Sequence, residues 1–228
     1  MNVEGNTMNK KFYYTNILLA ICSITCLVIY DIFGGLWLKG VTSSWFVLLG
    51  LTNVIYAYKS KCTNKKFIIL MFIGLFFGML ADVLLGISFI FGVLFFALGH
   101  ALYLTAYYTI QPFSKNEWYF IIPLSCLSTF IVIGTPFIVI EETFLKIALI
   151  GYGIIISTML AKAMYNYRTH RSLGFLLIVI GSILFYFSDF MLAIDMFGTP
   201  SRLLWILCSY SYWPAQTLLA HSLYHIAK

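Results

Sequence analysis

Eight apolar stretches of about 20 residues follow one another through this chain, separated by short polar connections. Each is long enough to cross about 30 Å of hydrocarbon as an α-helix. In lipid every backbone N–H and C=O must be paired within the segment, so helices are the expected form. A lipid-facing barrel would need short alternating strands, and none is written here. The expected spans are roughly 14–33, 36–58, 66–86, 88–110, 118–138, 144–165, 173–195 and 203–226. Composition agrees, at 61% hydrophobic and 10% charged with mean hydropathy +0.93. Soluble domains carry about 25% charged residues. The chain is therefore expected to be one all-α integral membrane domain over residues 1–228, with residues 1–11 a short cytoplasmic segment.

Charge orients the bundle. Lys10, Lys11, Lys59, Lys61, Lys65, Lys66, Lys115, Arg168, Arg171 and Lys228 fall on the side of the N-terminus, against Lys39, Lys146 and Arg202 on the other. Ten against three places both termini in the cytoplasm. The formal net charge of +6 is dispersed among loops, which argues against nucleic acid as a partner. Lys10 and Lys11 precede an apolar run that is too long for a signal peptide and has no A-x-A site after it, so a retained first helix is expected. The five cysteines form no C-x-x-C pair and read as packing residues. "ADVLLGI" and "SDFMLAI" lie near the ends of two spans of the same direction and suggest a tandem four-helix repeat.

Polar residues inside such spans mark function. An aspartate at the bilayer centre costs about 2.5–3.5 kcal/mol on insertion scales, so it faces protein or a wet cavity. Asp82 and Asp189 are both about 24 Å above the starts of their helices at 1.5 Å per residue. Equal depth suggests a shared site; two separate structural carboxylates are the alternative. Gly74, Gly78 and Asp82 form one stripe at i, i+4, i+8, where small residues admit a close neighbour. Ser182, Phe185 and Asp189 share a face, as do His100, Tyr103 and Tyr107, and Ser209, Tyr212 and Gln216. Asp195 is about 240° round the helix from Asp189 and reads as a boundary or capping carboxylate.

His100 is open to three readings: orienting a carboxylate, meeting a headgroup, or filling the core. Lys162 is expected to snorkel toward the cytoplasmic side. His221 and His225 lack the Glu of H-E-x-x-H. Trp205, Tyr210, Tyr212 and Trp213 read as an interfacial aromatic belt, with cation–π shelter for an ammonium headgroup as the alternative. Lys39 reads either as a surface residue or as a partner for a lipid phosphate, and Arg202 as a surface residue. No G-x-S-x-G, P-loop or dinucleotide signature occurs.

At these residues the sequence resembles the YhhN family of membrane lysoplasmalogenases, which includes the transmembrane-86 proteins. "GMLADVLLG", "FALGHALY", "FYFSDFMLAIDMF" and "SYWPAQTLLAHS" are similar to family segments in order, spacing and placement on helices three, four, seven and eight. Two departures stand out: Ala81 where the family commonly has Gly, and Lys39-Gly40 where it has Lys-Pro. Asp195 matches no fixed family aspartate. The resemblance implies hydrolysis of the vinyl-ether bond of lysoplasmalogens to a fatty aldehyde and glycerophosphoethanolamine or glycerophosphocholine.

That chemistry suits two carboxyl groups. A vinyl ether takes a proton on the alkene carbon that does not bear the oxygen, and water captures the resulting oxocarbenium ion. Glycosidases meet the same cation with one acid and one carboxylate. Asp82 and Asp189 are the expected catalytic pair, with Lys39, His100, Tyr103, Tyr212 and Gln216 on the substrate side. No metal or cofactor is expected. A proton-coupled carrier and a zinc-dependent lipid hydrolase using His100, Asp82, Asp189 or His221 are the rival readings.

Overall fold

A computed structural model describes residues 3–135 and 138–228. Among them are eight long helices: α1 (Val3–Phe33), α2 (Leu36–Lys59), α3 (Lys65–Leu85), α4 (Phe89–Ile110), α5 (Trp118–Gly134), α6 (Thr143–Thr169), α7 (Leu173–Phe197) and α8 (Arg202–Ala227). One 3-10 turn at Lys115–Glu117 leads into α5, and the described residues contain no strand. Seven helices are long and apolar enough to cross a membrane. The chain is a multi-pass membrane protein.

The helix ends fall within a few residues of the expected spans, with one exception. α1 is helical from Val3, so part of the segment expected to lie ahead of it belongs to the helix. The far end of the fifth expected span touches residues 136 and 137, which lie outside the described residues. Between α1 and α2, Gly34 and Gly35 have φ of 66° and 93°, a region that side chains disfavour. That tight turn reverses the chain within two residues.

α8 is the helix that falls short in apolarity, and its packing explains why. It touches α1, α2, α3 and α7 at once. Its polar residues Ser209, Tyr212, Gln216 and Ser222 are buried against those neighbours and do not meet lipid. Contacts run α1–α2–α3–α4–α6–α7–α8 and back to α1, so seven helices close a ring. α5 packs outside it, mainly on α6, where Ser128 and Ser157 hydroxyls lie 3.0 Å apart. Large apolar side chains such as Ile32, Trp37 and Phe144 are exposed on the outside. This is the surface expected where lipid replaces water.

Polar contacts fix α1 to its ring neighbours α2 and α8 at both ends. Tyr56 on α2 donates to Asn9 Oδ1, and Tyr224 on α8 donates to Asn9 O. The start of α1 and the end of α8 therefore lie at one end of the bundle. Asn16 and Asn53 exchange amide hydrogen bonds of 2.9 and 2.8 Å. At the opposite end Asp31 accepts from Arg202 and Tyr210.

Candidate active site

Asp82 sits on the inward face of α3 because its own stripe is cleared of side chains. A Cβ on Gly78 would lie 2.4 Å from Gln216 Nε2, and one on Gly74 would lie 2.5 Å from a Tyr103 ring carbon. Glycine at these two positions lets α8 and α4 close on α3. Asp82 is buried, and its Oδ2 accepts from Ser43 Oγ at 2.5 Å and from Tyr212 OH at 2.8 Å. Behind these two donors lies a chain with one direction. Tyr103 OH donates to Gln216 Oε1 (2.7 Å), and Gln216 Nε2 donates to Tyr212 OH (3.3 Å). On the other branch Trp213 Nε1 donates to Ser43 Oγ at 3.2 Å. Indole nitrogen only donates, and the amide fixes its two ends in opposite roles. Tyr212 OH also has Gly78 O in reach at 3.4 Å, but its shorter contact, 2.8 Å, is to Asp82.

Asp189, on α7, belongs to a second network. Tyr152 OH, on α6, donates to its Oδ2 at 2.5 Å. His100 Nε2 lies 3.0 Å from the same hydroxyl and 3.5 Å from Asp189 Oδ2. The imidazole stacks edge-on against Phe185, with ring centres 4.4 Å apart. Phe185 in turn meets Tyr212 at 5.2 Å and His100 meets Tyr103 at 6.4 Å, so aromatic contacts join the two networks.

Two cavities meet at Asp189. One has about 80 Å³ open to the centres of water-sized molecules and carries Lys39, Asp82, Ser188, Asp189, Asp195 and Ser209 on its wall, closed over by Tyr30, Trp205, Tyr212 and Trp213. The other, of about 50 Å³, is almost wholly apolar and runs between α4, α5, α6 and α7, past Val93, Val132, Leu149, Ile156, Ala193 and Phe197. Phe96, Asp189 and Leu192 belong to both walls. A polar chamber with three carboxyls and an ammonium thus meets, at Asp189, a hydrocarbon-lined space.

Of the residues expected at the site, Asp82, Asp189, Lys39 and Tyr212 line the polar cavity. His100, Tyr103 and Gln216 do not; they stand behind the carboxyls in the hydrogen-bonded networks. Asp195 is a capping carboxylate as expected, but its separation from the site is corrected. It lines the same cavity as Asp82 and Asp189, while its Oδ1 caps the backbone N–H of Ser201. The 240° offset ignores how far the cavity extends along α7, from Ser188 to Asp195. The aromatic belt is corrected too. Tyr212 and Trp213 are buried and Trp205 lines the cavity, whereas Tyr210 is exposed. Lys162 does not reach water. It is fully buried, 2.6 Å from Glu117 Oε1 and 4.4 Å from the centre of the Tyr108 ring. Arg202 is exposed and lies over Trp205.

Ser43, Tyr152 and Tyr30 escaped the sequence reading. Ser43 had a signal, a Thr-Ser-Ser run in an apolar helix; Tyr152 stood between two glycines in "IGYGI". His221 Nδ1 lies 3.2 Å from Asn16 Oδ1, in a network that does not reach the carboxyl pair. Among the described residues no three His, Cys, Asp or Glu side chains converge as metal ligands.

The YhhN family model matches residues 15–223. None of the curated proteins and none of the solved structures compared matches this chain.

Proposed function

Because the chain belongs to the YhhN family, we propose that it is a lysoplasmalogenase, hydrolysing the vinyl-ether bond of lysoplasmalogens. The observation that carries this reading is the place of Asp189 in the wall between a polar and an apolar cavity. A lysoplasmalogen has its scissile bond at the junction of a polar glycerophospho group and a hydrocarbon chain. Laid across the shared wall, its glycerol end lies beside Asp82 and Lys39. The first carbons of its chain enter the apolar space. Lys39 then meets the phosphate.

The reaction needs no more than two carboxyls and water. One carboxylic acid gives its proton to the alkene carbon that does not bear the oxygen, leaving a carboxylate and an oxocarbenium ion. Water attacks the cationic carbon while the second carboxylate takes a proton from it. The hemiacetal so formed then collapses. Its hydroxyl proton returns to the first carboxylate, and the second carboxyl protonates the departing glycerol oxygen. Both carboxyls end as they began, and the products are an aldehyde and an alcohol. Ester cleavage is less well served. Ser43 is turned toward Asp82, accepts from Trp213 and is not part of either cavity wall.

Both chain ends belong in the cytoplasm on this reading, supported by the ten-to-three division of basic residues and by the joint end of α1 and α8. A cytoplasmic membrane of a bacterium is the proposed location. A tandem four-helix origin is supported by Asp82 and Asp189, each on the first helix of a closely packed pair, α3 with α4 and α7 with α8.

The test is mass spectrometry of products from purified protein with alkenyl and acyl lysolipids. Aldehyde release from alkenyl lipids alone is expected, lost in folded Asp82→Asn and Asp189→Asn. Near wild-type rates in either variant would refute the pair.

A further inference from the structure

His100 is fully buried and lines neither cavity, yet both its ring nitrogens are engaged. Nδ1 lies 3.3 Å from Met159 Sδ, and Nε2 lies 3.0 Å from Tyr152 OH. A thioether has no proton to give, so Nδ1 carries the hydrogen in this contact. Tyr152 has one hydrogen and two polar neighbours. Two arrangements satisfy all of them with the same number of protons. In one, His100 is an imidazolium donating from Nε2 to the tyrosine oxygen, and Tyr152 donates to the Asp189 carboxylate. In the other, protonated Asp189 donates to the tyrosine oxygen, and Tyr152 donates to neutral Nε2. A concerted shift of two hydrogens interconverts them without forming tyrosinate.

We infer that His100, Tyr152 and Asp189 hold one shared, transferable proton, and that Asp189 is therefore the acid of the catalytic pair and Asp82 its carboxylate. The Asp82 side supports the assignment. Its Oδ2 has hydroxyls of Ser43 at 2.5 Å and Tyr212 at 2.8 Å, and the other acceptor open to Tyr212, Gly78 O, is farther at 3.4 Å, which suits an acceptor-only group. The Asp189 network differs because it can be read in both directions.

Met159 closes the far end, so the proton passes only through Asp189, the one member of the relay on the polar cavity wall. Once Asp189 has protonated the alkene carbon, Tyr152 donates its only hydrogen to the new carboxylate. Neutral Nε2 then faces the tyrosine oxygen with no hydrogen between them. That mismatch draws a proton back, and the hemiacetal hydroxyl supplies it. His100 and Tyr152 are positioning residues here; Asp189 alone touches the reacting carbon. The other titratable groups on the polar wall are Tyr30, Lys39, Asp82, Asp195, Cys208 and Tyr212, with Tyr186 on the apolar one.

This consequence for catalysis rests on the vinyl-ether reading, but the shared proton is testable without substrate. Infrared difference spectra against Asp189→Asn identify the Asp189 carboxyl band, and nitrogen NMR of labelled histidine reports His100. Tyr152→Phe is expected to change the Asp189 band and the Nε2 signal together. With alkenyl lysolipid, its kcat is expected to fall about a hundredfold, within the range of acid–base catalysis, and its KM to change little. Met159→Leu, a near volume-conserving swap, releases Nδ1 from its acceptor and favours hydrogen on Nε2. A weaker Asp189 acid band is expected, with kcat down about tenfold. A folded Tyr152→Phe protein with both signals unchanged overturns the shared proton, as does Met159→Leu with wild-type spectra. Wild-type protein that releases no aldehyde while both variants shift the spectra overturns the substrate reading and leaves the relay standing.

Discussion

Replacing Lys162 with Met breaks a fully buried ion pair and makes a sharp stability test. Lys162 Nζ donates to Glu117 Oε1 at 2.6 Å and to the Pro112 carbonyl at 3.2 Å, and faces the rings of Tyr108 and Tyr165. Removing one partner of a buried pair costs about 3–5 kcal/mol, because the other charge is stranded. Here the stranded Glu117 keeps two donors, Ser114 N–H at 2.9 Å and Tyr108 OH at 3.1 Å. The cost therefore belongs near the lower limit, about 3 kcal/mol. For a chain of this size that is a fall of roughly 6–12 °C in Tm. Lys162→Met/Glu117→Gln removes the charge but keeps an acceptor for Ser114, so most of the loss should be recovered, with a coupling of about 2 kcal/mol. Thermal unfolding in detergent, read by tryptophan fluorescence, supplies the cycle. Neither residue lines a cavity, so the single variant should keep its kcat at temperatures where it is folded. A Lys162→Met protein as stable as wild type, or a double variant no better than the single one, would refute the stranded-charge argument.

Three further outcomes follow from the geometry. Gly78→Ala should displace the Gln216 amide and, through it, Tyr212, destabilising by about 1–3 kcal/mol and lowering kcat; Gly151→Ala, with nothing within 4 Å of its Cβ, should stabilise by up to about 1 kcal/mol. Lys39→Met should raise KM for phosphate-bearing substrates without changing kcat, and an unchanged KM would remove Lys39 from headgroup binding. Ala193→Phe fills the apolar cavity and should shift the preference toward shorter alkenyl chains, measured by kcat/KM across a chain-length series.

The helices were legible because lipid leaves a chain few alternatives: long apolar runs must be helical, and their ends showed in Gly34-Gly35 and the polar connections. The carboxyl pair was legible for a related reason. An aspartate in such a run is costly enough to imply a protein-lined site, and helical spacing then told which small or aromatic residues share its face. The same spacing misled at Asp195. Angular position along a straight helix says nothing about how far a cavity extends along that helix, and this one reaches from Ser188 to Asp195. It also gave no partner for Lys162. Glu117 sits in a connection that sequence alone marks only as polar, and its burial comes from the capping turn at Ser114 that folds the carboxylate inward.

The least legible part was the shell behind the carboxyls. Tyr152 and Ser43 come from helices with no ionisable residue near the site level except Lys39, so nothing in their local pattern distinguished them from packing. Only ring closure shows their role. Each of the seven ring helices sends a side chain to the cavity or its networks: Tyr30 from α1, Ser43 from α2, Asp82 from α3, His100 from α4, Tyr152 from α6, Asp189 from α7 and Tyr212 from α8. α5 stands outside the ring and reaches only the apolar cavity, through Ser128 and Val132. Substitutions on α5 at that wall should therefore alter chain preference and leave the proton chemistry of Asp189 intact, whereas Tyr152→Phe on α6, which keeps the ring in the apolar wall and removes only its hydroxyl, should do the reverse. Chain-length selectivity and the solvent isotope effect on kcat separate the two, and a Val132→Phe protein with a changed isotope effect at unchanged chain preference would contradict this division of labour.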